Sequence, residues 1–120
     1  MKKNNYYVGH FAEKIALFWL LMKGYMPLHL NYVTGRGTGA GEVDLIVKKG
    51  KTLVFVEVKK RQNLTTAGEA ITPQNKRRVT RASEVFLRQN KAYQNHHIRF
   101  DAILFSSHLF PHHIKDAWRL

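Results

Sequence analysis

The stretch Gly41-Glu42-Val43-Asp44-Leu45-Ile46-Val47-Lys48-Lys49-Gly50-Lys51-Thr52-Leu53-Val54-Phe55-Val56-Glu57-Val58-Lys59-Lys60 decides how this chain is read. Two runs rich in Val, Leu, Ile and Phe flank a polar Lys49-Gly50 break, the pattern of two β-strands joined by a tight turn. The strands are expected over Glu42 to Lys48 and Lys51 to Lys60. Glu42, Asp44 and Glu57 stand inside these runs, although strands disfavour Asp and Glu and burying either without a partner is costly. Something must compensate them.

A turn at Lys49-Gly50 pairs Lys48 with Lys51, which sets Asp44 opposite Phe55 and Glu42 opposite Glu57. Side chains alternate with period two, so Glu42, Asp44, Glu57 and Lys59 project from one face. Asp44 and Glu57 become diagonal neighbours roughly 7–8 Å apart at the backbone. A three-residue turn would slip the register by one and scatter the group. Acids gathered on one face repel unless a cation sits among them, and hard oxygen ligands favour Mg²⁺ or Mn²⁺. Lys59 beside Glu57 is suited to hold an attacking water and to neutralise charge growing on a phosphate. The competing reading is a surface ladder in which Lys59 merely pairs with Glu57, an interaction worth little. The company of Asp44 and Glu42 favours a site.

Outward from the hairpin, Gly9 to Lys23 has a helical stripe of Phe11, Ile15, Phe18 and Met22 and a second one of Ala16, Leu17, Leu20 and Leu21. A helix apolar on most sides is expected to be central, with Gly24 ending it. Met26 to Thr34 alternates as a strand. Gly35 to Gly41 reads as a loop without the Gly-Lys-Ser/Thr ending of a phosphate-cradling segment. Thr72-Pro73 starts a helix that carries Val79, Ala82 and Phe86 and ends near Asn90. A strand over Ile98 to Phe105 and a His-rich tail follow. The order α-β-β-β-α-β implies an α/β fold, a mixed β-sheet with flanking helices.

With 120 residues, 44% of them hydrophobic, the chain has the size of one domain spanning 1–120. It has no cysteine, which excludes disulfides and thiolate metal sites. Twenty Lys and Arg against eight Asp and Glu give +12, a charge that implies a polyanionic partner, nucleic acid and DNA foremost. A basic but non-binding surface or an anionic membrane is the competing explanation. Lys60, Arg61, Lys76, Arg77, Arg78 and Arg81 are the expected phosphate contacts. Gln74 in the first turn of the helix after Pro73 could also face the site. The longest apolar run, Ile15 to Met22, is far short of the roughly 20 residues that span a bilayer. With no membrane segment and no secretory signal, a cytoplasmic location is expected. His96, His97, His108, His112 and His113 match no zinc pattern. Oligomeric state is open, a homodimer included.

Gly41-Glu42-Val43-Asp44-Leu45-Ile46 followed by Leu53-Val54-Phe55-Val56-Glu57-Val58-Lys59 resembles the motif of the YraN-like endonuclease-like family. That family is similar to Holliday-junction resolvases and has the restriction-endonuclease-like fold with a PD-(D/E)xK site. The resemblance extends to Gly9 through Glu13, Gly24-Tyr25, Glu69-Ala70-Ile71-Thr72-Pro73 with Lys76 and Arg78, Phe100-Asp101, and His113-Ile114 with Ala117. It implies a metal-dependent endonuclease in which Asp44 and Glu57 hold the metal, the carbonyl of Val58 adds a ligand, and Lys59 is the catalytic lysine. Glu13 matches a first-helix acid that points into the site of the resolvase relatives. A first-turn acid favoured by the helix dipole explains Glu13 equally well. Val43 stands where the nominal motif has proline. A non-catalytic nucleic-acid-binding module that retains the nuclease fold is the alternative function.

Overall fold

Strands β2 (Gly41–Lys49) and β3 (Thr52–Lys60) run through the middle of a five-stranded sheet, and their residues Leu45 to Val47 and Leu53 to Val58 are buried. A strand covered on both faces has no polar side to show, which is why both read as continuous apolar runs. The computed structural model describes residues 2–35 and 40–119, with side chains from Phe11 onward. Arg36 to Gly39, the middle of the expected glycine-rich loop, lie outside the described residues. β1 (Met26–Thr34) pairs antiparallel with β2, and β2 pairs antiparallel with β3. β4 (His97–Phe105) lies parallel to β3, and β5 (Pro111–Trp118) closes the other edge antiparallel to β4. The parallel pair needs a long crossover. The helices α2 (Leu64–Glu69) and α3 (Pro73–Gln89) supply it, with a 3₁₀ turn at Lys91–Tyr93.

One face of the sheet is covered by α1 (Lys2–Met22), whose Ala12, Ala16 and Leu20 meet Leu45, Val47, Val54, Val56, Val58, Ile103 and Phe105. The opposite face carries α3, with Val79, Ala82 and Phe86 against Val43, Ile46, Leu53, Phe55, Phe100 and Trp118. This is the expected α/β architecture, a mixed sheet between helices, compatible with the restriction-endonuclease-like fold. No helix among the described residues is long and apolar enough to cross a membrane.

Local signals account for the helix ends. Tyr25 N–H reaches Leu20 O and Gly24 N–H reaches Leu21 O, both at 3.0 Å, while Gly24 takes φ +92°. That is a Schellman stop, sealed by the Tyr25–Leu20 contact in the core. At the start of α3, Thr72 Oγ1 accepts from Asn75 N–H at 3.1 Å and Asn75 Oδ1 accepts from Thr72 N–H at 3.2 Å. Gly41 is required by packing: a Cβ there would lie 2.6 Å from the backbone nitrogen of Ala82 and 2.6 Å from Thr34 Oγ1. Its absence lets α3 sit directly on the start of β2.

Four expectations are corrected. The hairpin turns at Gly50-Lys51, with Lys49 rather than Lys48 as the last paired residue and Thr52 as its partner. Gly50 has φ +59°, the requirement for the first central residue of a type II′ turn. The slip relative to the expected register is two residues, so along the regularly paired part, Leu45 to Lys49 and Thr52 to Val56, each side chain keeps its face. The helix α1 begins at Lys2 instead of Gly9, and it is not central. Ala12, Ala16 and Leu20 are buried, whereas Phe11, Phe18, Leu21 and Met22 are exposed.

The element order also gains α2 and β5, which the sequence did not announce. Asn63 caps α2 by accepting from Thr66 N–H at 2.8 Å, and the helix buries only Ala67, too little to leave an apolar stripe. The His-rich tail becomes β5 because its inward residue is polar: His113 Nε2 lies 2.7 Å from Asp101 Oδ2. Asp101 is fully buried and also receives Arg99 Nε at 2.8 Å, Arg99 Nη2 at 2.9 Å and Asp116 N–H at 3.0 Å. Burial alone would push this carboxyl up. The His113, Arg99 and Asp116 contacts outweigh it and hold Asp101 below the ordinary carboxylate range.

Because these partners are buried around one carboxylate, its removal should strand an arginine and a histidine. Asp101→Ala is expected to lower unfolding free energy by about 3–5 kcal/mol in urea titration. A loss below about 1 kcal/mol would show that β5 is not anchored by this network.

Candidate active site

Regular alternation fails at one place in the central hairpin. Val43 and Leu45 are two residues apart and should share a face, yet Val43 packs on the α3 side and Leu45 on the α1 side. The ladder between β2 and β3 is regular only as far as Leu45 opposite Val56. Beyond that pair the Asp44 side chain replaces the strand: its Oδ2 accepts the N–H of Val58 at 2.8 Å. The N–H and C=O of one extended residue point toward the same neighbour, so the Val58 carbonyl faces the same opening.

Two acidic side chains meet there and a third stands nearby. Asp44 and Glu57 are close enough to hydrogen-bond carboxyl to carboxyl, with Glu57 as the protonated partner. Lys59 Nζ stands 3.7 Å from Glu57 Oε2. From α1, Glu13 comes near enough for the Asp44 charge to act on it, while the Asn31 side chain beside its carboxyl favours the ionised form. Asn31 has φ +51°, a left-handed conformation that Asn tolerates better than most residues. Sequence reading passed over Asn31; an Asn in mid-strand was the available signal. One oxygen of Glu13, Oε1, is buried without a hydrogen-bond partner.

With α1 starting at Lys2, Glu13 lies beyond the first turn, where the helix dipole has faded. The dipole account is withdrawn. Glu42 is exposed at the rim, where its charge still acts on Glu13, Asp44 and Glu57.

Removing these acids from water without an adequate counter-charge raises their affinity for protons. Burial, then the charge of Asp44, pushes Glu57 up to about 9. Burial pushes Asp44 up as well, against the opposing bond from Val58 N–H. Burial and then Asp44 push Glu13 up to about 7. Asp101 is just as secluded and goes the other way, because His113, Arg99 and the Asp116 amide hydrogen-bond it and the Arg99 charge adds to them. The Asp44 cluster is short of positive charge, and Lys59 supplies only part of it.

Such a donor set fits a hard divalent cation. Among the described residues no group of three or more His, Asp or Glu side chains closes around one point. An ion held here would therefore take Asp44 and Glu57, the Val58 carbonyl, and water for its remaining positions, the habit of Mg²⁺.

The expected phosphate contacts divide. Arg77, Arg78 and Arg81 line a cleft with Ala40 and Gln74, directly before β2. Gln74 thus belongs with these arginines. Arg81 and Arg88 also line a broader cleft of about 700 Å³ beside Tyr32, Thr34 and Gln89. Lys76 is turned away, its Nζ 6.0 Å from the centre of the Trp118 ring. Lys60 and Arg61 follow Lys59 at the end of β3, and Arg61 Nη1 donates to the Lys60 carbonyl at 2.7 Å. His113 Nε2 is engaged by Asp101 Oδ2 at 2.7 Å.

Comparison with other proteins gives a consistent grouping. The model of the uncharacterised protein family UPF0102 matches residues 12–105, which include every acid of the cluster. A UPF0102 protein of Paramagnetospirillum magneticum is 43% identical over 112 residues, 93% of this chain and 87% of the relative. One from Maricaulis maris is 36% identical over 110 residues, 92% of this chain and 84% of the relative. Another from Parvibaculum lavamentivorans is 37% identical over 114 residues, 95% of this chain and 83% of the relative.

The raised carboxyls set a pH dependence whose sign can be worked out. Between the ordinary value of 4.5 and about 9, folded Glu57 keeps a proton that the unfolded chain has released. Its contribution to stability is complete below 4.5 and is lost as pH rises through about 9. In EDTA, the wild type should lose stability steadily over this window, and Glu57→Gln should lose less. Parallel urea-stability profiles for the two proteins would contradict the protonated-cluster account.

Proposed function

The chain belongs to the uncharacterised protein family UPF0102, the YraN-like family its hairpin motif resembles, and on that premise we propose that it is a divalent-cation-dependent endonuclease acting on DNA. The observation that carries the reading is the opened end of the hairpin. There Asp44 and Glu57 lie side by side, Lys59 is 3.7 Å from Glu57, and the unpartnered Oε1 of Glu13 faces a neighbourhood short of positive charge. A salt-bridge ladder satisfies its members; this group does not.

Each residue has a task in phosphodiester hydrolysis. Asp44 and Glu57 would hold the cation, with the Val58 carbonyl as a further donor. When bound, the cation supplies positive charge to the phosphate and makes the attacking water more acidic. Lys59 orients that water and offsets the negative charge that builds as the phosphorus–oxygen bond breaks. Glu13 lies where it can accept a proton, and the Asn31 side chain beside its carboxyl favours the ionised form. Arg77, Arg78 and Arg81, gathered at the start of β2, lead a phosphate backbone toward the cluster. Carboxylates facing a phosphate weaken a simple binder, which favours an enzyme over a docking module. The +12 charge of the chain supports a polyanionic substrate.

The test is cleavage of a panel of single-stranded, duplex and branched DNA with Mn²⁺ or Mg²⁺. At least one substrate should be cut, EDTA should stop the reaction, and Asp44→Asn or Lys59→Ala should slow it by about 100-fold or more. Asp44→Asn should bind the same DNA as well as the wild type or better, because a negative charge near phosphate has gone. Binding without cleavage of any substrate identifies the docking module. An Asp44→Asn protein that cuts normally removes Asp44 from the mechanism.

A further inference from the structure

The helix α1 has two apolar faces, and the sheet covers one. Its uncovered stripe leaves Phe11 53%, Phe18 64%, Leu21 44% and Met22 72% exposed, and Phe110 adds a ring that is 63% exposed. Phe110 is continuous with the stripe through Trp19, whose ring centre lies 6.3 Å away. At about 200 Å² for a whole large apolar side chain, these five residues present on the order of 590 Å². The largest apolar patch of a typical monomer is about 300–600 Å². One side of a standard protein interface buries about 800 Å², roughly 65% of it apolar in homodimers, so about 500 Å² is needed. The patch supplies that amount.

Charge selects the occupant. An acidic partner or an anionic membrane would be met by Lys and Arg around the apolar surface. Here the eight residues from Ile15 to Met22 contain no ionisable side chain, in a chain whose net charge is +12. Lys23, at the end of the helix, is turned back over the Trp19 ring, its Nζ 4.6 Å from the ring centre. Lys14 is exposed within the stripe, one turn from Phe11 and from Phe18, and its long stem lets the ammonium stay in water at the edge of a contact. An apolar face with one lysine among its exposed residues is the surface on which a strongly basic chain can approach another like itself.

We propose that this stripe is the interface of a homodimer, in which the α1 helices of two copies pack antiparallel about a two-fold axis between Ile15 and Phe18. The arrangement is self-complementary, as a two-fold interface must be. It sets Phe11 against the partner's Met22 and Phe18 against the partner's Ile15. Glu13 belongs to another face of the helix, turned toward Asn31 and Asp44, so the pairing leaves the carboxylate cluster uncovered. If the cluster is the nuclease site argued above, the assembly carries two of them in fixed relation. The dimer itself stands without that reading.

Sedimentation velocity across micromolar concentrations tests the proposal with DNA-free protein. The wild type should sediment as a dimer. Phe18→Glu and Ile15→Lys should each be monomeric, with dissociation constants raised about 30-fold or more and circular dichroism unchanged. An equimolar mixture of the two variants should restore the dimer, because the new charges oppose each other only in the antiparallel pairing. A monomeric wild type overturns the proposal, including one that binds phosphatidylglycerol vesicles through the stripe. So does a dimer that Phe18→Glu leaves intact. Failure of the mixture to re-pair overturns the antiparallel arrangement.

Discussion

Asp44 takes the N–H of Val58 with its side chain, at 2.8 Å, where an ordinary hairpin would use a backbone carbonyl. That substitution lets β2 leave β3 without abandoning a buried donor. The strand then passes from the α1 side of the sheet to the α3 side between Leu45 and Val43. It also fixes the carboxylate that does the bonding. The second oxygen of Asp44, the carboxyl of Glu57 and the carbonyl of Val58 are left around the gap. Gly41 completes the arrangement, because only a residue without Cβ lets α3 bring Arg77, Arg78 and Arg81 against the start of β2.

The molecule contains two buried acidic centres, and their contrast carries the functional argument. Asp101 accepts hydrogen bonds from Arg99, His113 and the backbone of Asp116, and its proton affinity falls. It is a finished structural network that holds β5 to β4. Asp44 and Glu57 have one amide, one lysine and each other, and their proton affinities rise. Seclusion is similar in both places; only the supply of positive charge differs. An acidic cluster kept short of cations is costly to fold and useful only if something positive arrives.

How much of this was readable in the sequence depended on what each residue faces. β2 and β3 were legible because both of their faces are buried. Asp44, Glu57 and Lys59 stood out because charged residues interrupt those runs. The turn was misplaced, but a slip of two residues preserves which face Glu57 and Lys59 take, and Asp44 still meets Glu57 at the opened end of the hairpin. β5 was hidden because its key inward residue is His113, whose partner Asp101 lies on another strand. α2 was hidden because it buries Ala67 alone. The early start of α1 was missed because Lys2, Lys3, Asn4 and Asn5 interrupt any apolar period. Both apolar stripes of α1 were visible, but sequence could not tell that only one is covered. Asn31 went unnoticed because its role depends on a backbone turn to φ +51°.

Proton counting during metal binding reads out directly whether the Asp44–Glu57 pair carries a proton that a cation displaces. Calorimetric titration of Mn²⁺ into the protein at neutral pH, repeated in buffers of different ionisation enthalpy, reports protons released per ion. With Glu57 raised to about 9 and Glu13 to about 7, between about one and two protons should leave for each Mn²⁺ bound. The release should vanish in Asp44→Asn along with the binding. Mn²⁺ that binds without releasing protons, or that does not bind at all, would contradict the account.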